Sequence, residues 1–387
     1  MLSKTLCAAA LAPAALAARV FLNEPETGIE EGLKRANLSE GGLPPLSSVF
    51  GLPDFDYIAR QRLPIENYTY YRSGAAGEWS YRNNLEVYRR YRLQPRIMVD
   101  ISNVNNTLSS TILGNNFSAP FYISPCARAD MAHPDAELNF VKAAAAENIL
   151  YMPALYASKE MEEISQAKAE GQVLFQQLYL SGDDAQDDEL FRRSRESGAK
   201  AIVFTVDAAA NPNRHRAARF DVGSAVSEYS AFTWEFYQSV KERAELPVII
   251  KGITSVQDAR MAVENGAPGI ILSNHGGRQL DGAPSALEVA LDIHQEAPEI
   301  FEQTEVFADG GVRYGVDALM LLSLGVKAVG IGRPFMYANM YGEEGVKKAI
   351  TLMKRELAID AGNLGVADIS QIMGNEIVNW NSNNWLG

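Results

Sequence analysis

The sequence predicts an α/β protein: a TIM (β/α)8 barrel with an N-terminal helical extension. From about residue 120 onward, a short apolar run, a polar turn and a helical pattern recur eight times at fairly even spacing. The apolar runs are continuous, as in parallel strands that are buried on both faces. Eight successive βα units favour a closed parallel barrel. A doubly wound sheet is the alternative, but no Gly-x-Gly-x-x-Gly turn follows the first strand.

The first 17 residues are predicted to be a signal peptide. A short basic start, Met1–Lys4, precedes an alanine-rich apolar run, Thr5–Ala14, and a small-x-small site, Ala15–Ala17. The run is too short to span a bilayer as a stable helix. We therefore expect a cleaved, secreted protein. An alanine-rich N-terminal helix or an organelle presequence is the alternative.

Residues 18–69 are predicted to form an N-terminal tail and a helical segment, with a short helix at Phe55–Leu63, and residues 70–387 to form the barrel. The predicted strands are Phe121–Ser124, Leu150–Ala154, Val173–Tyr179, Ala201–Asp207, Pro247–Gly252, Gly269–His275, Glu305–Gly310 and Ala328–Gly332. Helical patterns between them include Ala136–Glu147, Met161–Ala169, Val256–Asn265 and Val316–Leu324.

Composition excludes several classes of function. The chain of 387 residues has a formal net charge of −13, so binding of nucleic acid through a positive field is not expected. Only two cysteines, Cys7 and Cys126, are present, which leaves no disulfide framework, and no metal cofactor is expected. Four N-x-S/T triplets fit a secreted glycoprotein; they begin at Asn37, Asn67, Asn105 and Asn116.

The sixth apolar run ends in the glycine-rich turn Ser273–Gly282, which contains His275 and Arg278 three residues apart. Such turns beyond a strand's C-terminal end carry the chemistry of α/β folds. The pair suggests a base beside an anchor for an anionic substrate. A polar loop that contains one histidine by chance is the alternative.

The other strand ends should share one face of the barrel with this pair. That face then gathers the polar or reactive side chains of Cys126, Gln177, Tyr179, Thr205, Asp207, Lys251, His275, Arg278, Asp309, Arg313 and Arg333.

The last two units predict a phosphate site. Asp309-Gly-Gly-Val-Arg313 and Gly330-Ile-Gly-Arg333 end strands seven and eight, the usual phosphate position in these barrels. Glycines let backbone N–H groups approach an anion, and arginines add forked hydrogen bonds. Two tight turns whose arginines pair with surface carboxylates are the alternative.

From Tyr70 to the C-terminus, the chain resembles the FMN-dependent 2-hydroxy-acid oxidase and dehydrogenase family, which includes glycolate oxidase, lactate oxidase and the flavin domain of flavocytochrome b2. The motifs that carry the resemblance are those of the phosphate turns together with Tyr70–Gly74, Ala132–Asp135, Gln177–Tyr179, Thr205–Asp207, Ile250–Gly252 and Ser273–Asp281.

The resemblance implies roles for these residues. His275 would accept a proton, and Asp207 would orient its imidazole and raise its pKa. Arg278, Tyr70, Arg214 and Tyr179 would contact the substrate. The implied FMN contacts are Ala127, Gln177, Thr205, Lys251, Ser273 and Asp309 along the flavin side and Gly310, Gly311, Arg313, Gly332 and Arg333 at the phosphate.

Three features depart from the family pattern. Cys126 and Ala154 replace a usual threonine and serine near the flavin rim, and Asn211–Arg216 replaces a Gly-Arg-Arg turn. The segment between Asp207 and Lys251 is shorter than usual, which implies a short lid, an open mouth and a bulkier hydroxy acid.

The function implied is oxidation of an L-2-hydroxy acid to a 2-oxo acid, with oxygen or another electron acceptor. Relatives commonly form tetramers, so the resemblance implies a homo-oligomer. Two alternatives stay open: a secreted FMN- or phosphate-binding barrel without turnover, and another FMN barrel enzyme.

Overall fold

Eight parallel strands form the centre of the molecule, and the prediction of a (β/α)8 barrel is confirmed. The structure, a computed structural model, describes residues 28–30, 32, 42–223, 230–372 and 378–379. The strands are β1 Phe121–Ile123, β2 Leu150–Tyr151, β3 Phe175–Leu178, β4 Ala201–Thr205, β5 Val248–Ile253, β6 Gly269–Leu272, β7 Glu305–Asp309 and β8 Ala328–Ile331. They pair in the order β2-β1-β8-β7-β6-β5-β4-β3, and a parallel bridge between Tyr151 and Leu174 joins the two ends.

Most of the strands end earlier than the apolar pattern predicts. β4 ends at Thr205 and β6 at Leu272, so Asp207 lies in a loop and His275 begins the short 3-10 turn His275–Gly277. The sequence pattern overextends the strands because the loop residues that follow are also partly buried. Because these residues are outside the hydrogen-bonded strands, their side chains can turn towards the open end of the barrel.

The barrel interior is packed rather than hollow. Its buried side chains are Tyr122, Leu150, Met152, Phe175, Ala201, Val203, Ile249, Ile271, Phe307 and Ala328. A hairpin of Ser110–Ile112 and Asn115–Phe117 adds Ile112 and Phe117 to this cluster, and the Leu113 backbone N–H donates to Glu305 at the start of β7. The hairpin therefore closes the N-terminal end of the barrel, and the open end lies at the C-terminal ends of the strands.

The helices are α1 Leu52–Arg62, α2 Ile65–Arg72, α3 Trp79–Glu86, α4 Glu137–Glu147, α5 Met161–Gln166, α6 Asp184–Glu196, α7 His215–Arg219, α8 Trp234–Ala244, α9 Val256–Glu264, α10 Ala286–Glu296, α11 Ile300–Gln303, α12 Gly315–Leu324, α13 Arg333–Ala338 and α14 Gly342–Leu364. The predicted helices correspond to α1, α4, α5, α9 and α12. Helix α1 begins three residues before its prediction because the Asp54 carboxylate accepts from the Phe50 and Gly51 N–H groups. Among the described residues, no helix has the length and apolar character needed to cross a membrane.

The N-terminal helices are packed onto the barrel. In α1, the side chains of Leu52, Phe55 and Ile58 are fully buried, and the helix packs against α13 and α14. The predicted boundary at residue 70 falls inside α2. Helix α3 lies against the loop after β6, where a Cβ atom added to Gly277 would lie 2.5 Å from the Tyr81 backbone nitrogen. This packing brings the N-terminal segment to the open end of the barrel.

Candidate active site

One cavity of about 330 Å³ occupies the C-terminal ends of the strands, a size typical of small-molecule sites. The predicted site residues that line it are Tyr70, Ala127, Gln177, Tyr179, Thr205, Arg214, Lys251, His275, Arg278, Asp309, Gly310, Gly311, Arg313, Gly332 and Arg333. The remaining two, Asp207 and Ser273, lie behind this lining and hydrogen-bond to residues that form it.

His275 is held between two side chains. Its Nδ1 lies 2.7 Å from Asp207 Oδ1, and its Nε2 lies 3.3 Å from the Tyr179 hydroxyl. The pairing with Asp207 leaves Nε2 as the nitrogen on the side of Tyr179. Gly252 makes the arrangement possible, because it has a φ of +120° and a Cβ atom there would lie 2.6 Å from the Asp207 Cβ.

The Asp207 carboxylate raises the pKa of His275, as the resemblance implies. Burial lowers that pKa by more than the carboxylate raises it, so the net direction is down. Burial alone would raise the pKa of Asp207, but His275 and Lys251 outweigh it and keep that pKa below its usual range. At neutral pH the pair is therefore a neutral imidazole beside a carboxylate.

A buried lysine lies next to this pair. Lys251 Nζ donates to Ser273 Oγ at 3.0 Å and lies 3.5 Å from Asp309 Oδ2 and 4.0 Å from Asp207 Oδ2. Burial would lower the pKa of Lys251, but the two carboxylates raise it well above its usual value. The cavity floor therefore carries a permanent positive charge.

Arg278 and Arg214 also line the cavity. Nη1 of Arg278 donates to the backbone carbonyls of Tyr70, Tyr71 and Ser73 at 2.9, 3.2 and 3.0 Å. Arg214 donates to the Arg278 carbonyl and to the Gln279 side chain. Burial, followed by repulsion from Arg278, lowers the pKa of Arg214 to about 9. Two guanidinium groups this close favour an anionic ligand, which would relieve their repulsion.

The amide of Gln177 is fixed by its neighbours. Its Nε2 donates to Thr205 Oγ1 at 2.9 Å, and its Oε1 accepts from the Leu155 backbone N–H at 3.1 Å. Cys126 and Ala154 also line the cavity. Burial raises the pKa of Cys126 to about 11, so its thiol is neutral.

The glycine turn after β7 forms another end of the cavity. Gly310 and Gly311 have φ values of +105° and +86°, and a Cβ atom on Gly311 would overlap the carbonyl oxygen of Asn84. Arg313 follows at the cavity wall, and its backbone N–H and that of Tyr314 donate to the Asp317 carboxylate. Glycine is needed at Gly311 because the turn packs directly against Asn84, and both glycines line the cavity.

The guanidinium group of Arg333, expected to bind the FMN phosphate, is hydrogen-bonded to backbone carbonyls instead. Its Nε, Nη1 and Nη2 donate to the carbonyls of Tyr71, Gly276 and Ser73. The side chain thus ties the C-terminal end of α2 to the loop that carries His275.

Sequence reasoning did not select several residues that line the cavity. Tyr156 stacks on Tyr179 with ring centroids 5.4 Å apart, and Arg128 forms two hydrogen bonds with Asp130. Both lie in loops that follow β1 or β2, so their position after a strand was the available signal. Among the described residues, no group of three His, Cys, Asp or Glu side chains is arranged to hold a metal ion.

The chain is similar in sequence and fold to several known proteins. The chain is 36% identical over 376 residues to the cytochrome-type L-lactate dehydrogenase of Wickerhamomyces anomalus, covering 91% of this chain and 65% of that protein. It is 32% identical to glycolate oxidase 3 of Oryza sativa subsp. indica, covering 85% of this chain and 96% of that one. The chain thus spans less than two thirds of the length of the cytochrome-type relative.

The recombinant flavin-binding domain of baker's yeast flavocytochrome b2 has a similar structure, with a TM-score of 0.83 and 33% identity over 93% of this chain and 92% of that one. A sequence profile of the family described as FMN-dependent dehydrogenase matches residues 59–228 and 222–379. These matches cover most of the described chain and include the whole barrel. The chain therefore belongs to the family of FMN-dependent dehydrogenases.

Proposed function

We propose that this protein uses FMN to oxidise an L-2-hydroxy acid to the corresponding 2-oxo acid. The observation that carries the proposal is the placement of His275, paired with Asp207, and Arg278 on one cavity. A carboxylate anchor beside a neutral base matches a substrate that has an acid group and an adjacent hydroxyl.

The donor set fits FMN. The close glycine turn at Gly310 and Gly311 and the nearby Arg313 suit a phosphate. Lys251, Gln177 and Thr205 supply a charge and hydrogen-bonding groups that suit the polar edge of an isoalloxazine ring. FMN, when bound, supplies the two-electron acceptor that the side chains of this protein lack.

The geometry of the protein supports the substrate contacts that we propose. Arg278 is preorganised by three carbonyls, and the other nitrogens of its planar fork suit a two-point contact with a carboxylate. We assign Arg214 and Tyr70 to the same carboxylate and Tyr179 to the substrate hydroxyl. His275 accepts a proton at Nε2, and the Asp207 carboxylate stabilises the imidazolium that results.

The relatives support the substrate class and leave the electron acceptor open. One is named a cytochrome-type L-lactate dehydrogenase, and another is named a glycolate oxidase. We propose a 2-hydroxy acid as substrate and oxygen or another acceptor for the electrons. The short segment after Asp207 favours a bulkier acid, and part of it, residues 224–229, lies outside the described residues.

The direct experiment is a visible spectrum of the purified protein. A yellow protein that a panel of L-2-hydroxy acids bleaches under anaerobic conditions supports the proposal. A protein that binds FMN but is bleached by none of them would favour a binding barrel without turnover or another FMN enzyme. D-isomers serve as the matched control, because the carboxylate anchor, the base and the bound flavin would together provide the three points needed to distinguish the two hands of the substrate.

We further propose that the protein is exported and forms a homo-oligomer. Residues 1–17 and Asn37 lie outside the described residues, so export rests on the signal-like pattern alone. Asn105 and Asn116 are exposed, whereas the Asn67 amide donates to the Met131 carbonyl. N-terminal sequencing of the natural protein should begin near Ala18, after cleavage at Ala17; a chain that begins at Met1 or Leu2 would contradict export. Light scattering tests the oligomer.

A further inference from the structure

Helix α3 lies outside the barrel, yet one of its side chains reaches the loop that carries His275. Asn84 is 2% exposed, and its amide pairs reciprocally with that of Asn274. Asn84 Nδ2 donates to Asn274 Oδ1 at 2.8 Å, and Asn274 Nδ2 donates to Asn84 Oδ1 at 2.9 Å. Two buried amides thus satisfy each other across the boundary between helix and barrel.

Asn274 in turn holds a strained turn. His275, Gly276 and Gly277 are all left-handed, with φ values of 59°, 62° and 73°. A non-glycine residue in this region costs about 1–3 kcal/mol and persists only where its surroundings hold it. Asn274 Oδ1 accepts from the Gly277 N–H at 2.9 Å, and its Nδ2 also donates to the Pro284 carbonyl. These two bonds orient the Asn274 amide, so Asn84 must match it.

Asn84 and Tyr88 also contact the glycine turn after β7. The Asn84 carbonyl occupies the space that a Cβ atom on Gly311 would need, and a Cβ atom on Gly310 would lie 3.2 Å from Asn84 Nδ2. Four residues later, the Tyr88 hydroxyl donates to the Gly310 carbonyl at 3.1 Å. Asn84 therefore contacts both turns that the proposed function uses.

We propose that Asn84 is a positioning residue that links the His275 turn to the Gly310–Gly311 turn. The link keeps the proton-accepting imidazole in a constant relation to the phosphate end of the FMN site. Asn84 acts through its neighbours and does not contact the substrate. The inference rests on the proposed function, because it gives those two turns their roles.

The test compares Asn84→Ala and Asn84→Asp with Asn83→Ala. Asn83 is the matched control, because it lies on the same helix, is also 2% exposed, and donates to Glu288 on α10 rather than to either turn. FMN dissociation constants are measured by fluorescence quenching, and flavin reduction is measured at saturating FMN and substrate.

We expect Asn84→Ala to raise the FMN dissociation constant and to slow reduction, each by about tenfold. Asn84→Asp keeps the acceptor for Asn274 Nδ2 but turns a second carboxylate oxygen towards Asn274 Oδ1 in a buried site, so it should weaken FMN binding and slow reduction at least as much as Asn84→Ala. Asn83→Ala should change neither quantity, whatever its effect on Tm. If Asn84→Ala lowers Tm but leaves FMN affinity and the reduction rate at their wild-type values, the proposal is overturned.

A second arm removes the other half of the pair. Asn274→Ala should also weaken FMN binding, and the double variant should be no weaker than the more affected single variant, because both changes break one link. Additive effects would contradict the link. If Asn84→Ala does not fold, Asn84→Asp and Asn274→Ala decide the question. If no 2-hydroxy acid reduces the wild type, the proposed function fails, while FMN affinity still tests Asn84.

Discussion

The imidazole of His275 can accept a proton only while it is neutral. Its pKa lies below the usual 6.5 because burial outweighs the nearby Asp207 carboxylate. We therefore expect the rate of flavin reduction to rise with pH below 6.5 and to be flat above it. Stopped-flow reduction between pH 5 and 9 measures this. A rate that still rises between pH 7 and 8 would contradict a lowered pKa.

Replacement of His275 also tests its assignment as the base. His275→Asn should retain FMN, because the imidazole is assigned to proton transfer, and should slow reduction by about 10²–10⁴-fold. The remaining rate of reduction should no longer rise with pH below 6.5. FMN content is measured by absorbance after gel filtration. Reduction at a near wild-type rate would remove His275 from the mechanism.

Arg278 is positioned by geometry as much as by charge. Its Nη1 is occupied by three backbone carbonyls, which orients the rest of the guanidinium plane. A lysine ammonium cannot both satisfy these carbonyls and offer a planar fork. Arg278→Lys should therefore weaken substrate binding and slow reduction, each by about 10-fold to 100-fold, with FMN content unchanged.

The control for this substitution is Arg193→Lys. Arg193 on α6 forms a two-point ion pair with Glu162 on α5, outside the cavity lining, so lysine there should leave both constants at the wild-type value. Unchanged constants in Arg278→Lys would leave the choice of a hydroxy acid without its anchor.

At the scale of elements, α12 begins beside a group of buried carboxylates. Glu356 on α14 accepts from the Gly315 N–H, and burial, followed by repulsion from Asp360, Asp317 and Asp54, raises the pKa of Glu356 to about 7. A carboxyl whose pKa is higher in the folded state than in the unfolded state stabilises the fold in acid. That stability is lost as the pH rises from about 4.5 through 7.

Glu356→Gln should remove this loss, because glutamine accepts the same hydrogen bond without a charge. We expect Tm at pH 8 to rise by about 2–4 °C and the gain to vanish at pH 4. Thermal unfolding followed by circular dichroism measures both. A gain of equal size at the two pH values would show that charge is not the cause.

At the scale of the whole molecule, the N-terminal helices and the barrel share one core. Each of Leu52, Phe55 and Ile58 is fully buried, and burial of one such side chain is worth about 1.5–3 kcal/mol. A chain that lacks residues 1–69 should therefore be insoluble or free of FMN. Soluble yield, FMN content and Tm are compared with those of the full chain. A soluble, FMN-loaded fragment would contradict a shared core.

The sequence by itself determined the eight strands, their order along the chain and the candidate residues at their ends. Continuous apolar runs such as Gly269–Leu272 report strands buried on both faces, whatever their neighbours are. The glycine turns and polar residues that follow each apolar run can also be recognised from the adjacent sequence alone. This is why Gln177, Lys251, His275 and the Gly310–Gly311 turn could be selected without coordinates.

Only the tertiary structure decided what surrounds each group. The pKa of His275 depends on the balance between burial and Asp207, and that burial comes from side chains distant in sequence. The carbonyls that Arg333 contacts lie more than 50 residues away along the chain, and Asn84 meets Asn274 across 190 residues. Local sequence patterns cannot predict such contacts, because these residues come together only when the barrel closes.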